Sequence, residues 1–398
     1  MSHSNPDTAV AQTACAVMMV SFPHQLLHAL CALEHDRVIN AIPTDTPAVL
    51  VLWSYEASDH EPDSRTRQFF ASALHQYPFI STLIFSRQER DGPLSPYRNL
   101  MKRARWLEQR LSEIGGCSTF YYAHDASSDH TSQAFMQALR PGRIICYGDA
   151  PGFLYPSYPP ERPRAPLSLR GFKELFWRSR LRNVKTWLTA EKALIAINFD
   201  DQVEGIPYPE PVVIPADAVM HTLHSLKKTF PEIDEFEQHV IQAGYSTTAL
   251  LILSNFTRSK FTSQKNELAL YIDICKEHVT TRELLYIKKH AGTDSAFVTQ
   301  LLDALGEYRV QPFPEHLEHL PIELFTVLNQ QCKVISVSSA SALLALSSDS
   351  SVIHALTRQH IGSLFVPAQR QYMNSANDRI MRNSTRLNKP ALRQDQNQ

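Results

Sequence analysis

Residues 15–53 read CAVMMVSFPHQLLHALCALEHDRVINAIPTDTPAVLVLW, and this stretch decides the fold. CAVMMV (Cys15–Val20) and AVLVLW (Ala48–Trp53) are short, continuous apolar runs. Such runs suit strands buried on both faces of a sheet. Between them SFPHQ gives way to LLHALCALEH, which has helical periodicity. Strand, helix and strand in this order predict a parallel β-α-β unit.

The pattern continues outward. FISTLIF (Phe79–Phe85), CSTFYYA (Cys117–Ala123) and RIICY (Arg143–Tyr147) are further strand candidates. Helical stretches at Arg98–Ile114, stopped by Gly115-Gly116, and around Thr131–Leu139 separate them. The alternation restarts after residue 190 with KALIAINF (Lys192–Phe199) and then ALLILSN (Ala249–Asn255). A helix at Gln264–His278, ELLYIKK (Glu283–Lys289), a helix at Ser295–Leu305 and CKVISV (Cys332–Val337) follow. The expected fold class is α/β, with two Rossmann-like domains and a cleft between them. The expected division is 1–188, 189–368 and a polar tail at 369–398, read as largely disordered or packing back onto the body.

Composition narrows the function classes. Lys and Arg number 39 against 40 Asp and Glu, so no global field attracts nucleic acid, and none is expected as a partner. Cys15, Cys31, Cys117, Cys146, Cys275 and Cys332 form no CxxC pair, which argues against metal knuckles and redox dithiols. Cys15, Cys117 and Cys146 read as small buried hydrophobes of a reducing compartment. The opening MSHSNPDTAVAQ lacks a basic segment, and Ala14–Val20 is too short to span a membrane. The expected location is cytoplasmic. The basic, aromatic stretch Phe172–Lys185 reads either as a domain-joining helix or as a surface for an anionic membrane or glycan.

Ligands of open parallel sheets bind beyond the carboxyl ends of the strands. Four such places carry candidate chemistry. Asp149, between Gly148 and Ala150, follows the fifth strand and could accept a hydroxyl proton or simply open a turn. His290 ends ELLYIKK and could meet a phosphate, though the chain has 17 histidines. Glu323 follows Pro321 and could bind ribose hydroxyls or complement a helix dipole. Ser338 and Ser339 close CKVISV before a helix-like run and suit a phosphate or an ordinary cap. Asp200-Asp201 reads as a turn, and no metal site is expected.

The order Asp, His, Glu, Ser-Ser resembles the GT-B bacterial sialyltransferases, the lipooligosaccharide sialyltransferase and capsular polysialyltransferase group. That group has an acidic D/E-D-G motif, an H-P motif, a Pro-x-Glu element and a Ser-Ser/Thr pair. SFPHQLLHAL is similar to its first loop and helix. Here the acidic motif is Gly148-Asp149-Ala150, and Ala291 stands where the group has proline. The resemblance implies an inverting, metal-independent transfer of a sialic acid or related nonulosonic acid. The donor would be a CMP-activated sugar, a substrate rather than a cofactor, and the acceptor a glycan or glycolipid. It implies Asp149 as general base and His290 as the group assisting CMP departure. Glu323 would hold the cytidine ribose, and Ser338 and Ser339 the phosphate. It also implies a bacterial surface-glycan pathway and peripheral contact with the inner membrane. A CMP-Kdo or UDP-sugar transferase and a non-catalytic nucleotide- or glycan-binding relative remain open. The 12 glycines in the chain include no glycine-rich diphosphate loop in the second half.

Overall fold

The computed structural model describes residues 15–53, 64–85, 96–113, 115–123, 130–148, 192–195, 212–242, 248–290, 292–337 and 352–387. Strands β1 (Cys15–Val20), β2 (Ala48–Trp53), β3 (Ile80–Phe85), β4 (Cys117–Tyr122), β5 (Arg143–Cys146), β6 (Lys192–Ile195) and β7 (Val212–Val213) make one sheet. Its order is β3-β2-β1-β4-β5-β6-β7. Strands β8 (Thr248–Ile252), β9 (Leu284–Lys288), β10 (Arg309–Pro312), β11 (Lys333–Ser336) and β12 (Val352–His354) make a second, in the order β10-β9-β8-β11-β12. Every pairing within both sheets is parallel. Two sheets of Rossmann order form an α/β organisation of two Rossmann-like halves. Their switch points lie between β1 and β4 and between β8 and β11.

The first sheet is covered by α1 (Pro23–Ile39), α2 (Ser64–Leu74), α3 (Pro96–Ser112) and α4 (His130–Leu139). Pro23 opens α1 at the position where a missing N–H costs nothing. All six residues of β1 are buried, as its unbroken apolar run requires. At the amino edge, buried Asp36 accepts from both Arg143 guanidinium nitrogens, at 2.8 and 3.2 Å, and from the Tyr121 hydroxyl at 2.7 Å. This charge is fully met and lies at the opposite end of the strands from their carboxyl edge.

Helices α5 (Ala216–Lys227) and α6 (Pro231–Gln242) join the halves. α5 packs on α1 and on the 3-10 turn Ile322–Leu324. The Gln76 and Ser225 side chains bond at 2.7 Å, and Arg65 meets Glu315 at 2.8 Å. The second sheet shows the strand period in its packing. Leu250, Ile252 and Tyr286 belong to the apolar cluster that includes the first sheet. Ala249, Leu251, Leu285 and Ile287 face a separate cluster. That second cluster is closed by α7 (Gln264–His278) and α8 (Ser295–Ala304), with Ile361 of α10 (Arg358–Leu364) and Phe365 just after it.

One expectation changes. Lys192–Phe199 was expected to open the second run, but residues 192–195 pair with β5 and extend the first sheet. An apolar strand carries no mark of which sheet it joins. Of the two readings of the polar tail, residues 369–387 follow the second: they lie in a helix, α11 (Pro367–Leu387), that packs back onto the body. Met373, Ala376 and Ile380 make a narrow buried stripe at helical spacing. Buried Asn377 adds a 2.7 Å bond, its Oδ1 accepting from His354 Nε2–H. All six cysteines are free, with Cys117 half-buried and the others buried. Among the described residues no helix is long and apolar enough to cross a membrane.

Candidate functional site

The carboxyl edge of the second sheet is built on two braced loops. After β8 the chain turns at 253–258. Ser254 N donates to the Tyr271 hydroxyl at 2.7 Å. Phe256 N and Thr257 N donate to Glu267 Oε1 and Oε2 at 3.1 and 2.7 Å. Glu267 and Tyr271 lie one helical turn apart on α7, so one helix face holds the loop. After β9 the chain passes Lys288, Lys289 and His290. Thr293 N returns to the His290 carbonyl at 2.8 Å. Gly292 fits because a Cβ there would stand 2.4 Å from Asn255 Nδ2 and 2.7 Å from an Arg258 nitrogen. A glycine at this point lets the two loops touch.

His290 keeps an accessible surface. Its Nδ1 accepts from Gly292 N–H at 3.0 Å. A backbone N–H can only donate, so the ring proton sits on Nε2. The ring's pKa is pushed down to about 4, first by lost solvation and then by the positive charges of His24, Arg258 and Lys288. With Nδ1 taken by the Gly292 N–H, His290 has an Nε2–H to offer, in a positive surrounding.

Lys288 is buried at the end of β9. Its Nζ donates to the Glu318 carbonyl at 3.0 Å and lies over the Phe313 ring, 4.7 Å from its centroid. Burial pulls its pKa down to about 8, and Glu323 and Glu318 oppose the shift. Its neighbour Lys289 is instead paired, with Glu318 Oε2 at 2.7 Å.

Glu323 sits in the 3-10 turn that Pro321 begins, before the helix α9 (Thr326–Gln331). It is 7% exposed. Burial raises its pKa, and its own backbone N–H, His24 and Lys288 hold the rise back. Among the described residues no further hydrogen bond reaches its carboxylate.

The structure thus brings His290 and Glu323 into one electrostatic cluster with Lys288, and adds His24 from the other half. His24 follows β1 at the start of α1, and its ring stacks on Phe22 at 5.8 Å. Asp149, Ser338 and Ser339 lie outside the described residues. Before Asp149, Gly148 follows β5 with φ 55°, a left-handed turn that glycine adopts without strain. Phe172–Lys185 also lies outside the described residues. Lys288, Arg258 and His24 are the members that sequence reading missed. The one signal for Lys288 was a cation at the end of an otherwise apolar strand. Among the described residues no group of three or more His, Cys, Asp or Glu side chains could hold a metal ion.

No protein-family profile and no curated protein matches the chain. Solved structures overlap it loosely. The UDP-GlcNAc 2-epimerase of Methanocaldococcus jannaschii is 9% identical, with a TM-score of 0.45 over 92% of this chain and 91% of that one. A glycosyltransferase from Rickettsia africae is 8% identical, with a TM-score of 0.42 over 93% and 94%. An Escherichia coli heptosyltransferase solved with ADP is 12% identical, with a TM-score of 0.37 over 93% and 99%. Overlaps this loose do not bear on chemistry, which rests on the chain's own residues.

Proposed function

We propose that the chain is an inverting, metal-independent glycosyltransferase that moves a sialic acid or related nonulosonic acid from a CMP-activated donor to a glycan acceptor. The observation that carries this reading is the placement of His290 at the carboxyl edge of the second sheet, its Nδ1 accepting from Gly292 N–H so that Nε2–H is left to donate, in the field of Lys288, Arg258 and His24. Such a site favours a phosphate, and a nucleoside monophosphate leaving group presents one. Glu323, buried and sharing the neighbours His24 and Lys288 with that histidine, suits the ribose hydroxyls of the same nucleotide.

In the proposed reaction Asp149 takes the acceptor hydroxyl proton. The acceptor oxygen bonds to the anomeric carbon from the face opposite CMP, and the carbon–oxygen bond to the phosphate breaks. The electron pair leaves on the phosphate oxygen, where His290 donates from Nε2 and Ser338 and Ser339 add donors. Lys288 and Arg258 supply fixed positive charge, so the departing anion needs little reorganisation around it.

The test is turnover. Purified protein is incubated with CMP-sialic acid, with or without a glycan acceptor, and CMP release is followed beside a UDP-sugar control. Release from the CMP sugar is expected, with transfer reduced on the order of a hundredfold or more in Asp149→Ala. Release from the UDP sugar alone, or from neither by folded protein, contradicts the proposal.

A further inference from the structure

Glu237 takes no part in the transfer chemistry, yet it is 2% exposed and both of its carboxylate oxygens are engaged. It stands on α6, one of the two helices that join the halves. Its Oε2 accepts from the Lys227 ammonium at the end of α5, which Asp234 also meets at 2.8 Å. Its Oε1 accepts from Leu328 N at 2.9 Å. Leu328 lies in the first turn of α9, and the residue before that helix, Phe325, makes no side-chain cap. A first-turn N–H has no partner within its own helix. Here a carboxylate from another helix supplies one.

The capped segment is the one that carries Glu323, in the turn Ile322–Leu324 directly before α9. Phe325 N and Asn329 Nδ2 both donate to the Ile322 carbonyl, at 3.0 and 2.8 Å. Asn329 is fully buried, so these bonds tie the turn to α9 away from water. Phe236, next to Glu237, meets Phe313 and Phe325 edge to face, with centroids 5.0 and 6.3 Å apart. The Lys288 ammonium lies over the same two rings. One charged and one aromatic contact from α6 therefore brace the elements that present Glu323 and Lys288.

We propose that Glu237 is a positioning residue that sets the site's discrimination for a ribose. It rests on the reading of Glu323 as the acceptor for ribose hydroxyls. Hydrogen bonds from two hydroxyls to one carboxyl weaken steeply with angle and distance. The attraction of Lys288 and Arg258 for a phosphate is less directional. A small shift of the Glu323 turn should therefore cost ribose recognition and spare phosphate binding.

The test compares two double variants that both remove the buried ion pair. Lys227→Met with Glu237→Leu leaves Leu328 N without its acceptor. Lys227→Met with Glu237→Gln keeps an amide oxygen for it. Removing both charges leaves no buried ion uncompensated, so both variants are expected to fold, as thermal melting checks. Calorimetry on the full chain then measures CMP and dideoxy-CMP, which lacks the ribose hydroxyls. Wild type is expected to prefer CMP. The leucine variant should narrow that preference about fivefold, the size of couplings relayed by residues that touch no ligand. Its affinity for dideoxy-CMP should stay at the wild-type level, and the glutamine variant should keep the full preference. A folded leucine variant that keeps the preference overturns the proposal. So does one that weakens both nucleotides equally, which makes Glu237 structural only. Either result leaves the transfer reading standing. Wild type that binds no CMP contradicts that reading and this proposal with it.

Discussion

Glu267 and Glu323 belong to the same half of the molecule and are both buried, at 3% and 7% exposure, yet their surroundings treat them in opposite ways. Glu267 receives the N–H groups of Phe256 and Thr257, one on each carboxylate oxygen. Its charge is answered by the fold itself, and it fixes the loop after β8. Glu323 has its own N–H and the nearby charges of His24 and Lys288, and burial raises its pKa. A buried carboxylate with few donors is costly unless a ligand completes it. The contrast separates an acid that builds the site from one that waits in it.

Paired substitutions should break this symmetry most sharply. Glu267→Gln leaves one of two backbone donors facing an amide N–H. It should cost about 2–3 kcal/mol of stability, read by denaturant unfolding. Glu323→Gln removes a carboxylate that burial disfavours, so it should unfold at the same or a higher denaturant concentration at neutral pH. The sign follows from the raised pKa: the protonated form is favoured in the fold, and stability from this group falls as pH rises through that pKa. An equal loss in both variants would erase the distinction.

Lys288→Met should leave the aliphatic packing on Phe313 and remove the charge. Nucleotide affinity is expected to fall about tenfold, the size of one partly desolvated charge contact. In the wild type, affinity should decline as pH rises through about 8, where the Lys288 charge is lost. Isothermal titration across that range checks both. Unchanged affinity in the variant would move the anion away from the end of β9.

The smallest effect is a proton uptake at His290. Its free-state pKa is lowered from 6.5 to about 4, and a bound phosphate should raise it. Nucleotide binding should therefore take up a fraction of a proton between those two values. Titrations in buffers of different ionisation enthalpy would register it. No uptake would mean that the phosphate does not face the ring.

Much of this architecture is legible in the sequence, because apolar runs such as CAVMMV and AVLVLW are long, unbroken and spaced by helical periods. Lys192–Ile195 is a strand in sequence and structure alike, but its sheet is set by pairing with β5, a tertiary fact. The sequence left the tail between two readings because Met373, Ala376 and Ile380 are too sparse to show as an amphipathic pattern before their partners are known. In the site, His290 and Glu323 could be picked out by position after strands. His24 could not, since it enters from the far half through α1. Lys288 was hidden by its type, because lysine within a strand usually reads as an exposed residue.

Calorimetric binding of CMP to the wild type and to His290→Ala, with UDP as the control, tests the central claim most directly. The account predicts that wild type binds CMP, that UDP binds weakly, and that His290→Ala loses most of the CMP affinity while remaining folded. Folded wild-type protein that does not bind CMP, or His290→Ala that binds it as tightly as wild type, would contradict it.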